Sequence, residues 1–228
     1  MIVFSCIPYF SKTLYRGESP DCDLAQDVIN EMKEGDEIAN RVCADWLITH
    51  PSLRQVDGTL IACPRSREGK PSNMVLANML HDIYGVGTRV VDLLKRTEPV
   101  QSSRLKRRAS SDPSKGLGIG AHEKSIGLRC DPPRDRSLWI IDDHISRGTT
   151  LLAIERVVRK AGFHGRIYGI TPGFLLEDLS YIDWCPKKDV ALRITEGNLK
   201  EGLLGKMFRP TTDHQWGMPH HATMKCNL

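Results

Sequence analysis

The run from Leu138 to Thr150 constrains this chain more than any other stretch. Leu138, Trp139, Ile140 and Ile141 read as a buried strand. Two adjacent acids follow, Asp142 and Asp143, then His144, Ile145 and a short loop of Ser146, Arg147, Gly148, Thr149 and Thr150. Leu151, Ile154, Val157, Val158 and Ala161 recur at helical spacing behind the loop, and Gly162 suits the helix stop. A buried strand that passes into a helix this quickly is the building unit of a parallel α/β sheet.

The loop between them has chemistry of its own. Backbone N–H groups, hydroxyls and a helix N-terminus together surround an anion, usually a phosphate. The acids stand at the carboxyl end of the strand, where open α/β sheets bind their ligands. Carboxylates accept from sugar hydroxyls, and a magnesium ion takes hard oxygen ligands. A phosphorylated sugar fits all three. An ordinary strand-to-helix turn capped by Thr149 or Thr150 would explain the glycine and threonines but not the acid pair.

Asp142 to Thr150 resembles the phosphoribosyl-diphosphate (PRPP) binding motif of type I phosphoribosyltransferases. The Arg147-Gly148-Thr149-Thr150 ending is similar to the version in glutamine amidophosphoribosyltransferases. Trp139 and His144 depart from it, standing where that family has smaller residues. A second likeness, to the competence-protein F family, lies in the basic segment Leu94 to Arg108, with Lys95, Arg96 and Thr97 ahead of Gln101. The resemblance covers roughly Thr59 to Thr171. It implies an α/β type I phosphoribosyltransferase fold, with a central parallel sheet of about five strands flanked by helices and a small hood. The chain lacks a Cys at position 2 and a cysteine-rich N-terminal finger, so it is expected as a stand-alone core. The expected division is an N-terminal helical segment or hood over 1–54, the core over 55–186 and a partly irregular extension over 187–228.

The same resemblance implies roles. Asp142 and Asp143 would hold the ribose hydroxyls and magnesium, directly or through the substrate. Ser146, Arg147, Gly148, Thr149 and Thr150 would cradle the 5-phosphate. Arg65, Ser66 and Arg67, in the polar loop after the strand Thr59 to Cys63, would hold the diphosphate, and Ser72 or Asn73 would cap the next helix. Arg104, Lys106, Arg107 and Arg108 would belong to a lid that closes over the substrates and excludes water. Phe174, Leu175 and Leu176 fall where relatives build part of the acceptor pocket. The implied reaction is displacement of diphosphate from PRPP by a nitrogen nucleophile, with Mg2+ assisting. The rival reading is a regulator on the same fold that binds PRPP or nucleotides without turnover and contacts nucleic acid or a protein partner. Clustered cations would allow nucleic acid, but there is little aromatic interleaving for base stacking. A homodimer is left open.

The rest of the chain bounds these readings. Helical periodicity covers Asp36 to Ile48 and Asn73 to Ile83, and strands are expected at Ile2 to Phe4, Thr88 to Val91 and Arg166 to Thr171. Lys95 to Asp135 shows charge, Ser, Gly and Pro with little apolar periodicity, and Asp189 onward loses it too. A net charge of +4 suits anionic small molecules without demanding nucleic acid. Seven scattered cysteines with no Cys-x-x-Cys pair argue against a disulfide framework, and a reduced cytoplasmic protein is the expectation. No apolar run is long enough for a bilayer span. His214, His220, His221 and Cys226 in the tail fit no common zinc spacing.

Overall fold

The structure is a computed structural model, and it describes residues 1–10, 20–65, 72–98, 118–146, 148–176 and 190–193. A strand opens the chain, β1 (Ile2–Phe10), and two helices follow, α1 (Pro20–Glu34) and α2 (Glu37–Thr49). Next come β2 (Gly58–Ala62), α3 (Ser72–Tyr84), β3 (Thr88–Val91) and β4 (Leu94–Arg96). Beyond them lie α4 (Ile119–Lys124), β5 (Ile126–Leu128), β6 (Ser137–Ile141) and the two-residue β7 (His144–Ile145). The last described elements are α5 (Thr149–Lys160), β8 (Arg166–Leu176) and β9 (Val190–Arg193).

The main sheet runs β3-β2-β6-β8-β1-β9, with β7 added on β8. Its pairings are parallel as far as β1, and β9 closes that side antiparallel. This is an α/β fold whose central five strands are parallel, as expected. Both faces are covered, so the strands read as continuous apolar runs instead of alternating ones. In β6 the alternation is nevertheless real. Leu138 and Ile140 join Ile61, Ile154 and Val158 on the α5 side. Trp139 and Ile141 join Leu60, Cys43, Leu47 and Leu80 on the side of α2 and α3. Trp139 is core, stacked on Tyr168 at 4.4 Å between ring centroids, with its indole N–H donating to the Asp57 carbonyl at 2.7 Å.

Four expectations need correction. β1 does not stop at Phe4. It pairs with β8 as far as Phe10, with Pro8 opposite Phe174, while its pairing with β9 spans Ile2 to Ser5. β8 does not stop near Thr171 but runs on to Leu176, and Phe174 is fully buried in the core instead of facing an acceptor. The stretch from Lys95 to Asp135 is not featureless. β4 and β5 pair antiparallel as a separate small sheet, α4 precedes β5, and Leu93, Leu94 and Ile126 enter the α5-side core. Three-residue strands are too short to show periodicity. The tail likewise supplies β9. The segment 1–54 contributes a sheet strand as well as two helices, and the three-part division of the chain remains a proposal. Among the described residues, no helix is long and apolar enough to cross a membrane.

Candidate sugar-phosphate site

Asp142 and Asp143 leave the end of β6 together, and β8 fixes the turn they make. The Asp142 N–H donates to the Ile170 carbonyl at 3.0 Å, and the Gly173 N–H reaches the Asp143 carbonyl at 3.4 Å. His144 and Ile145 then pair with Gly173 and Phe174 as β7. Gly173 permits this crowding. A Cβ there would stand 2.5 Å from Ile29 Cδ1 of α1 and 3.4 Å from His144 Cβ.

The two carboxylates are held differently. Asp142 Oδ1 accepts from Asn73 Nδ2 at 3.3 Å and from the Asp143 N–H at 3.0 Å. Asp143 Oδ1 accepts from the His144 N–H at 2.7 Å and lies 2.8 Å from His144 Nδ1, while Oδ2 faces Lys33 Nζ at 3.4 Å. Burial, and then the neighbouring Asp143 charge, push the Asp142 carboxyl well above the usual carboxylate range. Burial would raise Asp143 too, but the His144 ring and the Lys33 ammonium outweigh it and hold that carboxyl below its ordinary range. One acid is thus biased to carry a proton and the other to stay charged. The buried Cys63 thiol at the end of β2 also touches Asp142, and burial, with the Asp142 charge behind it, raises its pKa.

The loop closes three residues later. Gly148 occupies the N-cap of α5 with φ +72, a left-handed conformation that favours glycine. It has no side chain to cap the helix, so neither Thr149 nor Thr150 is the cap; they are its first two residues. The N–H groups of a first helical turn have no partner within the helix, and the helix dipole adds positive potential there. Ser146, Thr149 and Thr150 are half-buried around this end, and Gly148 is buried.

The acids end β6, and Gly148 opens α5 a few residues further along the chain. Arg65 lies just past β2, whose end is joined to β6 by the Cys63 N–H donating to the Ile141 carbonyl at 2.8 Å. Arg147, Ser66, Arg67, Arg104, Lys106, Arg107 and Arg108 lie outside the described residues, as do His214, His220, His221 and Cys226. Asn73, expected as a possible cap, instead reaches back from α3 to the Cys63 carbonyl at 3.3 Å and to Asp142. Nothing in the sequence singles out Lys33. It sits in the last turn of α1, where a cation suits the helix dipole, and that role alone would have explained it. Among the described residues, no group of three His, Cys, Asp or Glu side chains could hold a metal ion.

No protein-family model matches the chain, and no curated protein does. Among solved structures it is similar to a hypoxanthine phosphoribosyltransferase from Staphylococcus aureus. In the orthorhombic form of that protein the match has 10% identity and a TM-score of 0.31, over 68% of this chain and 77% of that one. In the tetragonal form it has 12% identity and a TM-score of 0.33, over 68% and 76%. A likeness at those values supports no inference about function.

Proposed function

We propose that the chain is a type I phosphoribosyltransferase core that binds PRPP. The observation that carries this reading is the order along the chain: the acid pair at the end of β6, the short β7, then left-handed Gly148 at the N-terminus of α5 with no side-chain cap. Hydroxyl acceptors and a phosphate cradle separated by one short turn suit a ribose 5-phosphate. Asp142 would accept from the ribose hydroxyls, since a carboxyl group offers about four acceptor positions and the Asn73, Asp143 N–H and Cys63 contacts do not fill them. The N–H groups and hydroxyls from Ser146 to Thr150 would hold the 5-phosphate. Arg65, with Ser66 and Arg67, would meet the diphosphate, and Arg104, Lys106, Arg107 and Arg108 would cover it.

Magnesium fits this donor set only as an ion that arrives on the substrate. It would neutralise diphosphate charge as that group departs, with most of its ligands coming from substrate and water. The chain's own contribution is positioning and charge stabilisation, and no dedicated general base is evident. The nitrogen nucleophile remains to be identified. A second reading, a PRPP-binding regulator without turnover, gains support from Phe174, which is core where an acceptor wall was expected.

Calorimetric titration with PRPP tests the binding. Diphosphate release across a panel of bases and amines separates enzyme from regulator. Micromolar PRPP binding with release for one acceptor is the expected result. No PRPP or ribose 5-phosphate binding in any buffer would overturn both readings.

A further inference from the structure

Asp143 comes with its own cation. Lys33 Nζ is 3.4 Å from Oδ2, and both side chains are about one quarter exposed. Oδ1 is engaged by the His144 N–H and ring nitrogen. Both oxygens of Asp143 therefore face nitrogen. Lys33 is held in place by the way α1 ends. Gly35 turns the chain at φ +89, and Asp36 caps α2 by accepting from the Ala39 N–H at 2.8 Å. Asn40 Nδ2 bridges the turn, donating to the Asp36 carbonyl at 2.7 Å and the Met32 carbonyl at 3.3 Å. One turn earlier on the same helix face, Ile29 packs over Gly173 on the strand that pins the acid turn.

A divalent ion bridging the two acids would need the oxygens that Asp143 has committed, and it would stand against an ammonium group. The donor set does not fit a metal held by the protein. We propose that Lys33 is the built-in counter-cation of the acid pair, so that the chain holds a ribose 5-phosphate group without a protein-bound divalent metal. This rests on the sugar-phosphate reading above. Asp143 then anchors the turn, Asp142 receives the sugar hydroxyls, and Lys33 is a positioning residue that acts through Asp143. Magnesium enters only on a substrate that carries a diphosphate.

The test uses the full chain and two probes. Manganese followed by electron paramagnetic resonance should reveal no site on the wild type tighter than about 1 mM. Lys33→Met should bind manganese at least about tenfold more tightly. Adding Asp143→Asn should remove that gain, and Lys33→Arg should behave as the wild type. If Lys33→Met does not fold, Lys33→Gln takes its place. Ribose 5-phosphate should bind the wild type equally well in EDTA and in magnesium, and should bind the Lys33 variant only with metal. Tight manganese binding to the wild type that Asp143→Asn abolishes would overturn the proposal, as would ribose 5-phosphate binding to the wild type that requires metal. If ribose 5-phosphate binds in neither buffer while manganese behaves as expected, the sugar-phosphate reading fails and the counter-cation assignment stands.

Discussion

Replacing Asp142 with asparagine should make the fold more stable and the site worse. The Asp142 carboxyl is half-buried, and burial together with the Asp143 charge raises its pKa. A carboxyl whose folded pKa lies above its unfolded value supports folding below the unfolded value, near pH 4. That support is lost as pH rises towards the folded pKa, so at pH 8 the wild type carries the cost of a poorly hydrated charge. Asparagine keeps the oxygen that accepts from Asn73 at 3.3 Å and from the Asp143 N–H at 3.0 Å, and it removes the charge. One pKa unit is worth about 1.4 kcal/mol. After a discount for partial exposure, the expected gain is about 1–2 kcal/mol at pH 8, fading towards zero near pH 4. Urea unfolding of both proteins from pH 4 to 8 measures it. At pH 8 and above, where Asp142 begins to carry charge in the fold, affinity for PRPP or ribose 5-phosphate should fall at least about tenfold, or ~1.4 kcal/mol, as a charge-assisted contact is lost. A variant less stable than the wild type at pH 8, or a gain that does not shrink on acidification, would refute the electrostatic argument. Unchanged sugar-phosphate affinity in the folded variant would refute the site.

Gly148→Val should cost about 1–3 kcal/mol in thermal unfolding, because a β-branched residue is strained at φ +72, and should abolish protection of the fold by phosphate; a variant as stable as the wild type would show that the turn has another conformation. His122 on α4 is buried with neither ring nitrogen bonded; burial, then the nearby Arg96, lower its pKa to about 4. The unfolded chain therefore takes up the proton first, and stability should fall by about 2 kcal/mol as pH drops from about 6.5 to 4. Glu123 beside it is already paired with Arg156 and Lys160 of α5, so His122→Leu should remove that slope and leave the Glu123 contribution, which differential scanning calorimetry across the range would resolve. Substituting Gln for Arg104, Lys106, Arg107 and Arg108 together should weaken diphosphate binding if these residues form a lid. A loss confined to RNA or DNA affinity, steep in salt, would favour the regulator instead.

The fold was legible in the central strand and in three helices, but not in α1 (Pro20–Glu34), which the sequence reading does not place. The strand from Leu138 to Ile141, the helix behind it and the helices over Asp36 to Ile48 and Asn73 to Ile83 all stand within a residue or two of where their apolar spacing put them. What spacing could not show is pairing that overrides local signals. β1 runs on past Phe4 because it pairs with β8 as far as Phe10. Phe174 looks like a loop residue until β8 is seen to continue, so that β7 can pair with it. The strands β4 and β5 have three residues each, and their positions follow from each other rather than from their own composition.

The site divides in the same way. The acid pair, Gly148 and the threonines lie on one continuous segment, and their chemistry follows from order along the chain. Of the groups around those acids, His144 lies in the motif itself, while burial, Asn73 and Lys33 arrive through folding. Asn73 reaches Asp142 from a helix that starts about 70 residues earlier, and Lys33 comes from α1, far outside the stretch that resembles a known motif. Nothing in an Asn near a helix start or a Lys near a helix end distinguishes it from an ordinary terminal residue. Burial and the Asp143 charge raise Asp142, while the His144 ring and Lys33 hold Asp143 low, so two adjacent carboxylates have opposite tendencies. Without Lys33, the His144 ring and N–H alone would offset the Asp143 charge beside Asp142. With it, the pair has one anchored charge and one acceptor able to take or release a proton as a sugar hydroxyl docks. On the proposed reading, the motif would supply the atoms that meet the ligand, and burial together with Lys33 would help decide their charge state.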